Sequence, residues 1–364
     1  MTSSLLNKRA VLWPFPPQHK KESELWSPVF QWFHQRDTVA STFTPRTIAI
    51  IALVVGQFTI ALGVFCIKLS VDEMGSLGTT FTRFWMAALI LCFWDAVHHR
   101  KANPTQTQPQ PNSALEPQTV AVEAPSTPLT YTTYLLFALC GLMFAGCLVL
   151  WAWSLQYTTV ANSTLMHDLS PLFATIFGWL IFKHHFSKRF LGAVGLTLIG
   201  VVTIGFEDFQ VGMSNFIGDG IALSSAILLA LYCLLVGQLR QRFTAMVVLQ
   251  WTCLIGASGI LPLILLTSNP LFPTTMFGWL AVTGVVCFSQ IIGQGLTAFS
   301  LKQLSSEFVS LFLPLEAVFA AFIAWVGWNQ PLTLLNCIGF VFVLGGIYLA
   351  LLSPGTTETK DAAA

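Results

Sequence analysis

Charge is what this chain has least of. Only 9% of its 364 residues are Asp, Glu, Lys or Arg, against about 25% in a soluble domain. So little charge cannot cover a water-facing surface, and a soluble globular domain is excluded. The net charge of +1 offers no basic face for nucleic acid, and no nucleic-acid motif occurs. A phosphate-cradling P-loop is also missing, which speaks against an ATP-driven pump. The eight cysteines are Cys66, Cys92, Cys140, Cys147, Cys233, Cys253, Cys287 and Cys337. They lie in apolar segments without CxxC or metal-ligand spacing, so no metal site or cofactor is expected. Their simplest role is that of small packing residues. Residues 1–45 lack the continuous apolar run of a secretory signal.

What the chain has instead is apolar sequence, 54% hydrophobic and 13% aromatic. Crossing a ~30 Å hydrocarbon core takes about 20 helical residues. Ten runs meet that length, at 48–68, 77–97, 131–154, 160–182, 189–206, 217–237, 245–267, 276–298, 305–327 and 332–352. The expectation is an all-α integral membrane protein whose surroundings are the lipid bilayer. Ten spans put both termini on one side. Fifteen of the seventeen Lys and Arg fall on that side; only Lys68, at the opposite surface, and Arg83, inside a span, do not. The positive-inside rule makes that side cytoplasmic, in a cytoplasmic (inner) membrane.

Residues 1–45 read as a cytoplasmic tail. Within it, Leu25, Trp26, Val29, Phe30, Trp32 and Phe33 share about 160° of a helical wheel, as an interfacial helix would have them. Pro28 argues for plain disorder instead. Residues 102–128 hold six prolines and read as a disordered linker. Residues 353–364 form a second tail.

The two halves match without gaps at an offset of 146 residues: AWSL at Ala152–Leu155 matches AFSL at Ala298–Leu301, and LSPLFA at Leu169–Ala174 matches LEAVFA at Leu315–Ala320. Trp179 then meets Trp325, and Gly200 meets Gly346. Residues 46–206 and 207–352 are thus two five-span repeats. An odd number of spans inverts the second repeat relative to the first. Inverted repeats about a central site are an architecture of secondary transporters.

The residues also resemble a known family. LGVFCIKLS, FTRFWMAAL, the blocks SPLF…GWLIF…GAVGLTLIG and LEAVF…AWVGW…GFVFVLGG, and GDGIALSSAILLALYCLL together resemble the EamA-type members of the drug/metabolite transporter superfamily. That resemblance implies ten helices as two five-helix repeats. It also implies a central cavity built mainly by the first, third, fourth, sixth, eighth and ninth spans, and a small-molecule metabolite as partner. Ala317 replaces the proline of the family's second block, so only the fourth span is expected to be broken.

Polar residues at depth supply the candidate site, because an ionisable group at a helix centre costs ~2.5–3.5 kcal/mol on insertion scales. In the fourth span Ser163, Thr164, His167, Ser170 and Pro171 share one face, with Asp168 at its edge. Pro171 deprives the His167 carbonyl of its helical donor, which suits either a ligand or a plain structural kink. Matched depth makes Arg83 and Asp168 a candidate ion pair. Glu316, at the repeat position equivalent to Ser170, lies among Ala317, Ala320 and Ala324. It suits a proton-coupling carboxylate or a hydrogen bond between helices. Gln57, Tyr232, Gln290, Gln294 and Trp151 complete the candidate substrate contacts, each with packing as its alternative.

The leading expectation is a secondary transporter, not an enzyme, moving a small polar or amphipathic metabolite by alternating access, with protons as coupling ion. A membrane-embedded enzyme and a non-transporting membrane sensor are the competing classes. An enzyme would need interfacial chemistry. The only interfacial histidine pairs, His98–His99 and His184–His185, sit among basic residues rather than carboxylates.

Overall fold

The computed structural model describes residues 44–101, 131–154, 156–158, 160–206, 216–267, 270–328 and 332–353. The N-terminal interfacial helix, the 102–128 linker and residues 354–364 lie outside them. Among the described residues ten helices are long and apolar enough to cross a membrane. They are α1 (Pro45–Ile67), α2 (Leu69–Ala96), α3 (Tyr131–Ser154), α4 (Asn162–Phe182), α5 (Lys188–Gly205), α6 (Phe216–Arg240), α7 (Ala245–Leu265), α8 (Met276–Ser300), α9 (Ser306–Gly327) and α10 (Leu334–Leu351).

α1 and α2 run on as one helical stretch, Pro45–Lys101, broken only at Gly75 (φ 70°, ψ 174°). Such a backbone is open to glycine without a Cβ penalty, and this kink falls within α2, just before the apolar run expected to begin at 77. The two ends of the described chain meet, as an even number of crossings requires. Arg46 donates to the Leu351 carbonyl at 3.5 Å, and the Ser187 and Ser353 hydroxyls are 2.6 Å apart. This face is the terminal side below.

The packing has the symmetry of the sequence repeat. α5 lies on α10 and α7 on the α1–α2 hairpin; α3 lies on α6 as α8 lies on that hairpin. Exchanging α1–α5 for α6–α10 leaves this pattern unchanged, which is the signature of two inverted five-helix units. Lipid offers no hydrophobic drive between helices, so close packing through small residues holds them together. At the α5–α10 seam Gly200, Gly339 and Gly346 leave no room for a Cβ against Val343, Ile204 and Thr197 respectively.

Apart from the kink at Gly75, α4 and α9 are both split into two helical pieces. α4 consists of Val160–His167 and Ser170–Phe182, with a tightened turn in which the Leu172 amide donates to the Leu169 carbonyl at 3.0 Å. α9 consists of Ser306–Ser310 and Leu315–Trp328, which corrects the expectation of an unbroken ninth span. The cause is Pro314, three positions before Ala317. It has no N–H for the Ser310 carbonyl, which accepts from the Leu313 amide at 3.1 Å instead. The i→i−3 bonds continue through Leu315, Glu316 and Ala317, a 3₁₀ passage between two α pieces. Pro314 is the repeat equivalent of Asp168, so both breaks fall at the same place in the two units.

A third irregularity lies in α8, where Val285–Gly293 is π-helical. π segments carry an extra residue per turn, turn side chains away from their α-helical directions and are frequent at functional sites.

Candidate functional site

The broken helices put polar groups on either side of the bundle centre. From α4, His167 Nδ1 makes a 2.8 Å hydrogen bond with the Ser225 hydroxyl of α6. That hydroxyl already donates to the Ala222 carbonyl at 2.6 Å, so the imidazole N–H must be the donor and Nδ1 carries the proton. Trp151 of α3 lies against the same ring, with centroids 5.8 Å apart. Its indole N–H is buried without a partner, as are the Ser170 hydroxyl and the Gln57 Oε1. Unsatisfied buried polar atoms are costly, and these three lie on α1, α3 and α4.

From the other unit comes Glu316, half-buried at the start of the second piece of α9. Its carboxylate makes no hydrogen bond among the described residues, but Arg83 and Asp168 both lie within its electrostatic reach. Arg83 is nine-tenths buried in α2. It does not form the expected pair with Asp168. Its guanidinium donates to Gln290 Oε1 at 2.7 and 3.1 Å and to the Ser289 hydroxyl at 3.4 Å. Both acceptors sit in the π segment of α8, and that local winding brings them to α2. Depth alone matched Arg83 with Asp168; helix rotation decided the partner.

The remaining candidates divide. Tyr232 is buried, stacked on Phe144 at 4.3 Å, and lies within electrostatic reach of Arg83. Gln57 is fully buried and donates to Thr297 Oγ1 at 3.3 Å. Gln290 is drawn into the Arg83 cluster, whereas Gln294 is half-buried immediately after the π segment. Ser225 and Ser289 had no signal in the sequence beyond being small and polar.

On the terminal side the two units are locked together. Glu307, in the first turn of α9 and 1% exposed, lies 2.7 Å from His184 Nδ1, which is 48% exposed in the α4–α5 connection. His184 thus has a carboxylate partner, contrary to the reading of its surroundings as purely basic. The hydrogen bond to Glu307 raises the His184 pKa above its ordinary 6.5. Gly178 lies so close to the Glu307 carboxylate that no Cβ would fit. Ser306 donates to the Cys233 carbonyl of α6 at 3.1 Å. The first piece of α9 therefore packs on α4 and α6, while its second piece packs chiefly on the α1–α2 hairpin. On the opposite side the upper limbs of α4 and α9 flank a cavity of about 170 Å³, lined by Thr164, Leu165 and Asp168 of α4, Pro314 and Ala317 of α9, and α5 and α10 behind.

Two helices broken at equivalent positions of inverted repeats have parallels among known proteins. The profile of the EamA-like transporter family matches twice, over residues 47–206 and 216–352. This chain belongs to the EamA-like transporter family. Each match covers one five-helix unit, so the family repeat and the structural repeat coincide. Among similar proteins is the uncharacterized transporter YyaM of Bacillus subtilis, 27% identical over 54% of this chain and 66% of its own length. An uncharacterized transporter of Archaeoglobus fulgidus is 22% identical over 78% of this chain and 90% of its own. One of Methanothermobacter thermautotrophicus is 25% identical over 60% and 64%. The fold recurs in a solved crystal structure with a TM-score of 0.63 at 15% identity, over 83% of this chain and 98% of that one. This EamA-like protein is a multi-pass membrane protein of transporter type.

Proposed function

We propose that this EamA-like protein is a secondary transporter that carries a small polar or amphipathic metabolite across the cytoplasmic membrane by alternating access. The terminal side is the cytoplasmic one on the distribution of Lys and Arg. One observation carries the reading: α4 and α9, equivalent helices of the inverted repeats, are broken at equivalent positions and present His167, Ser170 and Glu316 beside the breaks. Broken helices free backbone carbonyls at mid-membrane only where they line a cavity or pack on protein. The cavity between the upper limbs and the Glu307–His184 contact on the terminal side fit a state open away from the cytoplasm. Movement to the opposite state requires release of the Glu307–His184 contact and approach of the upper limbs.

Glu316 is the proton-coupling group in this reading, and Ser170, Trp151, Gln57 and His167 are the substrate contacts. Purified protein in proteoliposomes should move solute without ATP, once a substrate is found by thermal-shift screening of metabolites. E316Q and H167A should each lose most of that flux at unchanged expression and folding. Full flux in both variants overturns the site; flux indifferent to an imposed pH gradient removes the proton.

A further inference from the structure

Asp168 stands on the wall of the gap between the upper limbs of α4 and α9, and the guanidinium of Arg83 is engaged elsewhere, by Gln290 and Ser289. The Asp168 carboxylate makes no hydrogen bond or ion pair among the described residues, while only its amide is engaged, donating to the Thr164 carbonyl at 2.9 Å. Around it the wall is mostly apolar: Leu165, Val201, Ile204, Pro314 and Ala317. Thr164 and Asn336 are the other polar side chains, and neither makes a side-chain hydrogen bond among the described residues.

A carboxylate at membrane depth is normally paired, with protein or with what the cavity takes in. The volume of about 170 Å³ is close to the ~150 Å³ of an engineered cavity that accepts benzene. Apolar walls, a volume for one ring or a six-carbon body, and one lone carboxylate describe a specific guest. We infer that the α4–α9 gap takes an organic monocation, a protonated amine on a compact apolar body, with Asp168 as its counter-ion and Asn336 and Thr164 as hydrogen-bonding partners. This rests on reading the α4–α9 pair as the substrate path, with the gap a separate station on it, distinct from the contacts of Ser170, Trp151, Gln57 and His167, none of which lines it. It narrows "small polar or amphipathic metabolite" to amines. The same ammonium chemistry is present in soluble amines and in phosphatidylethanolamine headgroups.

The test uses three probes of one shape on the full-length protein in phosphatidylglycerol nanodiscs: benzylammonium, benzyl alcohol and benzoate, read by calorimetry and thermal shift. Benzylammonium should bind at least tenfold more tightly than benzyl alcohol, and benzoate not at all. D168N, close in size to the native residue, should erase the preference for the cation. A317L, which fills the gap, should weaken both benzylammonium and the alcohol. Weaker benzylammonium binding in phosphatidylethanolamine nanodiscs supports the site and names the headgroup as occupant; unchanged binding supports it and names a soluble amine. Equal binding of cation and alcohol, or a D168N protein that keeps the preference, overturns the inference. Because binding rather than flux is read, that failure leaves the transport assignment to be judged by E316Q and H167A alone.

Discussion

Conversion of Glu307 to Gln tests whether the terminal side is held shut by one contact. A hydrogen bond to a charged partner contributes ~1.5–3 kcal/mol. His184 is 48% exposed, and screening by water brings its share to the lower end, ~1–1.5 kcal/mol. Since 1.4 kcal/mol is tenfold in an equilibrium constant, E307Q should raise terminal-side opening by about an order of magnitude. The pH dependence follows from the raised His184 pKa. A pKa raised in the closed state above the ordinary 6.5 means the contact is at full strength below about pH 6.5. It is lost as pH rises through the raised value. Hydrogen exchange by mass spectrometry, corrected for intrinsic rates, reads this directly as local opening of residues 183–187 and 306–310. Wild-type protein in nanodiscs should exchange faster there at pH 8 than at pH 6, and E307Q should be fast at both. Equal corrected exchange at the two pH values in wild type, or slow exchange in E307Q at pH 6, would refute the reasoning.

Two further outcomes test the architecture. G346V places a branched side chain where the Thr197 side chain and the Ala193 carbonyl already stand. Separating α5 from α10 should cost ~1–3 kcal/mol, the usual range for overpacking, seen as a lower unfolding temperature in detergent. An unchanged temperature would mean the seam is not tight. Q290L strips Arg83 of its main acceptor and should cost ~1–3 kcal/mol, since a buried donor is left unmade. R83M/Q290L, which removes both partners, should recover part of that loss; a double variant with fully additive destabilisation contradicts the pairing.

The membrane spans were legible because hydrocarbon imposes a length and a composition that any reader of the chain can count. The repeat was legible for a similar reason: AWSL and AFSL, or Trp179 and Trp325, share register as well as residue type. Local backbone events were harder. Pro314 was in plain view, but comparison at Ala317 hid it, because the two breaks are equivalent in space while their prolines, Pro171 and Pro314, are not equivalent in register. The π winding of α8 rotates Ser289 and Gln290 by an amount no period-3.6 wheel contains, so the acceptors of Arg83 stayed hidden and depth alone pointed to Asp168. Glu307 was overlooked because burial at a helix start is decided by neighbours: Gly178 makes room for its carboxylate, and that glycine lies on another unit. His167 and Glu316 stood out by cost alone, since ionisable groups at that depth are rare.

Inversion relates Asp168 to Pro314. The same hinge is thus made in one unit beside an acid that a guest can neutralise, and in the other by a ring that nothing can alter. Geometry treats the two orientations of the bundle as equals; chemistry does not. A pair of identical hinges would leave the balance between the two faces indifferent to whatever is bound. With one adjustable hinge and one fixed hinge, occupancy at Asp168 becomes the weight that tips it.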